Sequence, residues 1–237
     1  FRPTGQSLAV SEDGEGEPAV FPEDVNDLPP VAALLDGAPL QLHEALKDRL
    51  LVDDIFNLEA TYQPGERKHG TAMASLILHG DRSNPESEPL PHKLYCIPVM
   101  QPDHQTREHM PDDVFFEDRI HIAVRRMFEG SGDVTAQAPT VKVINLSIGD
   151  TAREFIHTPS PWARLLDWLA YKYRVLFCVS AGNYCDEIDI GFNQQQFAAL
   201  SDKEKISATV KAISNNLTSR RLLSPAEAMN AITVGAA

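Results

Sequence analysis

The chain has 237 residues, 43% of them hydrophobic, and a formal net charge of -13, which suits one substantial core with an appendage. That charge argues against nucleic acid, whose phosphates require a basic face, and no apolar run approaches the ~20 residues that span a bilayer. Three cysteines, odd in number and widely spaced, do not make a disulfide framework. Cys96 and Cys178 lie in apolar runs and read as buried thiols, and Cys185 reads as a bystander in a loop near Asn183. This cysteine usage points to a reducing, cytoplasmic setting, with secretion as the alternative. The opening Phe1-Arg2-Pro3-Thr4 has the features of neither a signal peptide nor a natural start.

Residues 1–30 are acidic and rich in Gly and Pro, from Ser11-Glu12-Asp13-Gly14-Glu15-Gly16-Glu17 to Leu28-Pro29-Pro30, and read as a linker or tail. Val31 to Leu35 is a continuous apolar run, as in a strand buried on both faces of a parallel sheet. His69 to Leu78 suits a helix, Lys93 to Met100 a strand, and Glu117 to Phe128 a helix with Ile120, Ala123, Val124 and Met127 on one face. Val141 to Ile148 follows as a strand. Trp162 to Tyr173 follows as a helix behind Pro161, a residue suited to a first helical turn. Val175 to Ala181 is the next strand, Ser201 to Ser214 an amphipathic helix, and Ala231 to Ala237 a final strand.

Strands alternating with helices predict an α/β fold: a doubly wound, mostly parallel sheet with helices on both faces. Sites in such sheets gather at the carboxyl ends of strands, where Asp36 and Asn183 both fall. Asp36 follows five apolar residues and precedes Gly37. A carboxylate there can orient an imidazole or merely cap a turn. His69 opens a helix and suits a general base, although Arg67 and Lys68 beside it also suit a surface setting. Asn183 can aim an amide at a developing oxyanion or simply occupy a turn. Asn145 is a polar residue inside a strand and needs partners there. The histidines have no metal-ligand spacing, so no metal and no cofactor is expected. Asp53-Asp54 and Asp112-Asp113 read as solvated surface.

Taken in order, Val31-Ala32-Ala33-Leu34-Leu35-Asp36-Gly37, His69-Gly70-Thr71-Ala72-Met73-Ala74, Val143-Ile144-Asn145-Leu146-Ser147-Ile148-Gly149, Val179-Ser180-Ala181-Gly182-Asn183, and Ser224-Pro225-Ala226 with Ala231-Ile232-Thr233-Val234-Gly235-Ala236 resemble the subtilisin-like serine proteases. The resemblance spans residues 31–237, with an insertion at about 186–223. It implies that Asp36 orients His69, that His69 is the general base, and that Asn183 is the oxyanion donor. It implies further that Ser147, Ile148 and Gly149 pair with an extended substrate, a mode of strand addition. Ala181 and Gly182 would then line the pocket before the scissile bond. The family's hydroxyl residue after the aspartate is replaced by Gly37, and its second histidine by Ala72.

No Gly-Thr-Ser-Met-Ala-like turn occurs, nor a Gly-x-Ser-x-Gly elbow. Ser75, Ser147, Ser180 and Ser224 stand where the family does not place its nucleophile. The expectation is a sheet incomplete at the carboxyl end, with the serine beyond residue 237. The partners expected are a peptide or protein substrate and a carboxyl-terminal fragment carrying that serine, with neither nucleic acid nor membrane. A non-catalytic, subtilase-like peptide-binding or interaction module is the competing reading. A nucleotide-binding α/β enzyme ranks last, because no phosphate-binding glycine motif is present.

Overall fold

A computed structural model describes residues 3–5, 28–81, 87–104, 107–111, 113–183, 188–217 and 220–235. The strands are β1 (Pro3–Gly5), β2 (Leu28–Asp36), β3 (Leu50–Val52), β4 (His92–Pro98), β5 (Gln101–Pro102), β6 (Glu108–His109), β7 (Val143–Leu146), β8 (Ile148–Glu154), β9 (Leu176–Ser180), β10 (Leu223–Ser224) and β11 (Ala231–Val234). The α-helices are α1 (Lys68–His79), α2 (Phe116–Phe128), α3 (Pro161–Tyr173), α4 (Gln194–Ala198) and α5 (Asp202–Asn215). None of the described helices is long and apolar enough to cross a membrane.

The central sheet has the order β11-β9-β7-β2-β4-β3, and every pairing in it is parallel. Ala33, Leu34 and Leu35 are buried, as the unbroken apolar run requires of a strand covered on both faces. One face packs against α2 and α3 through Ile120, Val124, Met127, Trp162, Leu166 and Leu169. The other packs against α1 through Leu34, Ala74, Leu78 and Leu94. The chain leaves β2 for β3 and β4 on one side, then crosses to β7, β9 and β11 on the other. The end of β2 therefore lies where the strand order changes direction, the usual place for a site in an open α/β sheet. This is the doubly wound architecture expected from the alternation of elements.

The structure adds features the hydrophobic pattern did not show. The run read as one strand over 141–148 is divided at Ser147: β7 belongs to the parallel sheet, and β8 turns away into an antiparallel sheet of order β10-β8-β1-β6-β5. β2 begins at Leu28, inside the stretch read as a linker. Pro29 and Pro30 are tolerated there because they sit at the strand's start. There the Pro29 carbonyl lies 2.7 Å from His92 Nδ1, and the Pro30 carbonyl accepts the Thr140 hydroxyl at 2.7 Å. Residues 3–5 of the same stretch also form a strand.

Asp53 and Asp54 are not simply solvated. Asp53 Oδ2 accepts the Tyr95 hydroxyl at 2.6 Å and Arg126 Nε at 2.8 Å. Asp54 accepts the amides of Leu58 and Glu59 at 2.8 and 2.9 Å, closing a turn. Asp112 and Cys185 lie outside the described residues. Cys96 is buried, and burial pushes its thiol well above the usual range.

Candidate active site

His69 is the second residue of α1, and Asp36 is the last of β2. A Cβ on Gly70 would stand 2.1 Å from the Gly37 carbonyl oxygen, so only glycine lets the first turn of α1 rest on the backbone after β2. Thr71 fixes the same junction: its hydroxyl donates to the Arg67 carbonyl and accepts the Leu40 amide at 2.8 Å. Just ahead of the helix, Arg67 pairs with Glu59 at 2.8 Å. The His-Gly-Thr motif is thus a set of contacts that presents the imidazole to the end of the sheet.

That placement brings His69 Nδ1 to 2.6 Å from Asp36 Oδ1, with the two residues 7% and 1% exposed. Asp36 Oδ1 also accepts the Gly37 amide at 2.7 Å. A carboxylate so placed holds the hydrogen on Nδ1 and leaves Nε2 able to take a proton. Burial lowers the affinity of His69 for a proton, but the charge and hydrogen bond of Asp36 and the nearby Glu108 outweigh it, and its pKa is raised.

Ser147 lies between β7 and β8, and its hydroxyl donates to Asn145 Oδ1 at 3.0 Å. Asn145 therefore has the partner that its place in a strand demands. Ile148 and Gly149 pair antiparallel with Gly5 and Thr4, and Thr4 pairs on its other side with His109. β1 is thus an extended segment held between two strands, β8 and β6, beside the Asp36–His69 pair. A Cβ on Gly149 would lie 3.9 Å from Gly182 Cα, and one on Gly182, where φ is +106°, would lie 2.5 Å from Leu223 Cγ. Ala181 accepts the Leu223 amide at 3.0 Å. Gly149, Gly182 and Leu223 therefore lie close together, on the side of β8 away from β1. Asn183 is exposed, three residues past β9, at the same carboxyl-terminal edge of the sheet as Asp36.

No motif or periodicity in the sequence points directly to Glu108. It is 6% exposed, and its Oε2 accepts the His69 amide at 3.1 Å. Asp36, His69 and Glu108 place one ligating atom each within 4.8 Å of the others. The only indirect signal was Gly37, where the resembling family carries a hydroxyl. Burial, and then the charge of Asp36, push the Glu108 carboxyl up to about 7, against the pull of the His69 imidazole, the Tyr62 hydroxyl and the His69 amide.

Of the serines weighed as nucleophiles, Ser224 is buried with its hydroxyl 2.6 Å from that of Ser160. Ser160 in turn caps α3 by accepting the Ala163 amide at 3.0 Å. Ser180 accepts the Gly182 amide at 3.1 Å. The Ser224 hydroxyl is thus paired with another hydroxyl, and that of Ser180 holds backbone.

The site so defined is a buried acid–imidazole pair at the switch point of a parallel α/β sheet. The subtilase family profile, Peptidase_S8, matches residues 35–237, and the chain belongs to that family. No curated protein matches the chain.

Proposed function

We propose that this chain carries the acid, base and oxyanion elements of a serine endopeptidase. Asp36 orients the imidazole and stabilises its charged form. His69 takes the proton of the nucleophile through Nε2 and returns it to the leaving amine. Asn183 donates its amide to the tetrahedral oxyanion, an interaction worth roughly 2.7–4 kcal/mol in the subtilisin example on which that range rests. Ser147, Ile148 and Gly149 bind the substrate backbone, and Ala181 and Gly182 shape the pocket before the scissile bond. The nucleophile is a serine beyond residue 237.

The observation that carries this reading is the 2.6 Å contact between His69 Nδ1 and Asp36 Oδ1, next to a strand slot already filled by an extended segment. Asp36→Ala and His69→Ala, each made in the intact natural protein, test it. Peptide hydrolysis is expected to fall by about 10^4-fold or more, with the circular dichroism spectrum unchanged. Undiminished hydrolysis in either variant rejects the assignment. An intact protein that binds peptides but never cleaves them supports the non-catalytic module instead.

A further inference from the structure

We propose that Glu108 is a positioning residue for the Asp36–His69 pair: its carboxyl group fills the place of the side chain that residue 37 lacks and holds the backbone of His69. This rests on reading His69 as the general base.

The space argument is direct. A Cβ on Gly37 would lie 1.7 Å from Glu108 Oε1 and 2.9 Å from the Tyr62 hydroxyl. Glycine at 37 and the glutamate at 108 are therefore complementary, and neither a serine nor a threonine at 37 fits beside that carboxyl. The backbone argument is as direct. Helix α1 begins without any side-chain cap of its own, although the first amides of a helix need acceptors. Glu108 Oε2 accepts the amide of His69, the second residue of that helix. The cap comes from β6, a strand distant in sequence, and it is applied to the residue whose ring must be aimed.

Hydrogen bonding also sets the ionisation state. Three groups face the Glu108 carboxyl: Asp36 from the end of β2, His69 from α1, and Tyr62 from the segment ahead of α1. The Tyr62 hydroxyl has one hydrogen: given to the Glu108 carboxylate it pulls that carboxyl down, and given to the Met100 carbonyl at 2.9 Å it leaves the Tyr62 oxygen only able to accept from Glu108. Glu108 Oε1 is buried and has no fixed partner among the described residues, and the same holds for Asp36 Oδ2. A proton on Oε1 supplies what is missing, because a neutral Glu108 can donate to the Tyr62 oxygen while Oε2 keeps the His69 amide. Two adjacent buried carboxylates cannot both ionise cheaply. Glu108 is accordingly the member that holds a proton until near neutral pH, and its ionisation then strengthens the hold of His69 on its own proton.

The test is a pH titration by NMR of the protein carrying 15N-histidine and carboxyl-13C-glutamate, as wild type and as Glu108→Gln and Glu108→Ala. In the wild type, one glutamate carboxyl is expected to titrate near neutral pH, and the His69 signals are expected to move in two steps. Glutamine keeps the acceptor for the His69 amide and a donor for Tyr62 but carries no charge. Glu108→Gln is therefore expected to fold, to show one step, and to lower the His69 midpoint. Glu108→Ala is expected to melt at lower temperature, with Glu108→Gln restoring most of that loss. A wild-type carboxyl that titrates in the ordinary glutamate range, or a His69 midpoint unmoved in Glu108→Gln, overturns the proposal. No step depends on hydrolysis, so the titration can succeed while the peptidase reading fails, and the reverse.

Discussion

At Gly70 a hydrogen atom in place of a side chain decides whether His69 reaches Asp36. A methyl group there would meet the Gly37 carbonyl oxygen at 2.1 Å, and both backbones are tied down, one in a helix and the other at a strand end. Gly70→Ala is expected to destabilise the fold by about 1–3 kcal/mol, read as a lower denaturant midpoint, and to reduce hydrolysis as the imidazole is displaced. A variant with unchanged midpoint and activity contradicts that packing.

Glu108 makes a separate, pH-dependent prediction. Its carboxyl titrates near 4.5 when unperturbed and at about 7 in the folded protein, so the folded state binds its proton more tightly than the unfolded state. Stability is then full below about 4.5 and is lost as pH rises through about 7, by about 3 kcal/mol for a shift of this size. His69 acts in the same direction, because its raised pKa also means stability lost as pH rises through its folded value. Denaturant unfolding at pH 5 and pH 8 is expected to show a fall in the wild type and a smaller one in Glu108→Gln. Equal slopes contradict the assignment.

The contact of Asp36 with His69 involves two residues that the sequence singles out, one ending an apolar run and one opening a helix motif. Glu108 is not singled out. It comes from a polar segment with neither periodicity nor motif, and only the folding of β6 against α1 brings it to the site.

Among the elements, β8 matters most. The sequence from Val141 to Ile148 reads as one apolar strand, and nothing in its pattern marks Ser147 as the point where the chain leaves the parallel sheet. Hydrophobic alternation reports burial, and both halves are buried, so the change of partner is invisible to it. β3 and β6 were missed because strands of three and two residues carry almost no pattern. The helices α1, α2 and α3 were found close to their ends, since each buries a broad stripe. β1 fills the slot between β8 and β6 and so competes with any peptide adding to the same edge. Removing residues 1–5 from the intact protein is expected to lower KM for peptide substrates with kcat little changed. An unaltered KM contradicts the placement of the substrate strand.

For the molecule as a whole, β11 is an outer strand of the central sheet among the described residues, and Ile232 and Val234 on it are 49% and 58% exposed. No described strand pairs with the outer edge of β11, and an open edge with apolar side chains invites association. Residues 1–237 produced alone are expected to self-associate in sedimentation measurements. A monodisperse monomer contradicts this. The parallel architecture was legible from the alternation of strands and helices. The antiparallel sheet was not, because four of its five strands are only two or three residues long and they are drawn from distant parts of the chain.

The most direct measurement is denaturing mass spectrometry of the intact natural protein, before and after a fluorophosphonate probe that marks activated serines. The triad reading predicts that the probe mass appears on a serine outside residues 1–237, and that His69→Ala abolishes the labelling. An intact protein that stays unlabelled, or one labelled equally well without His69, contradicts it.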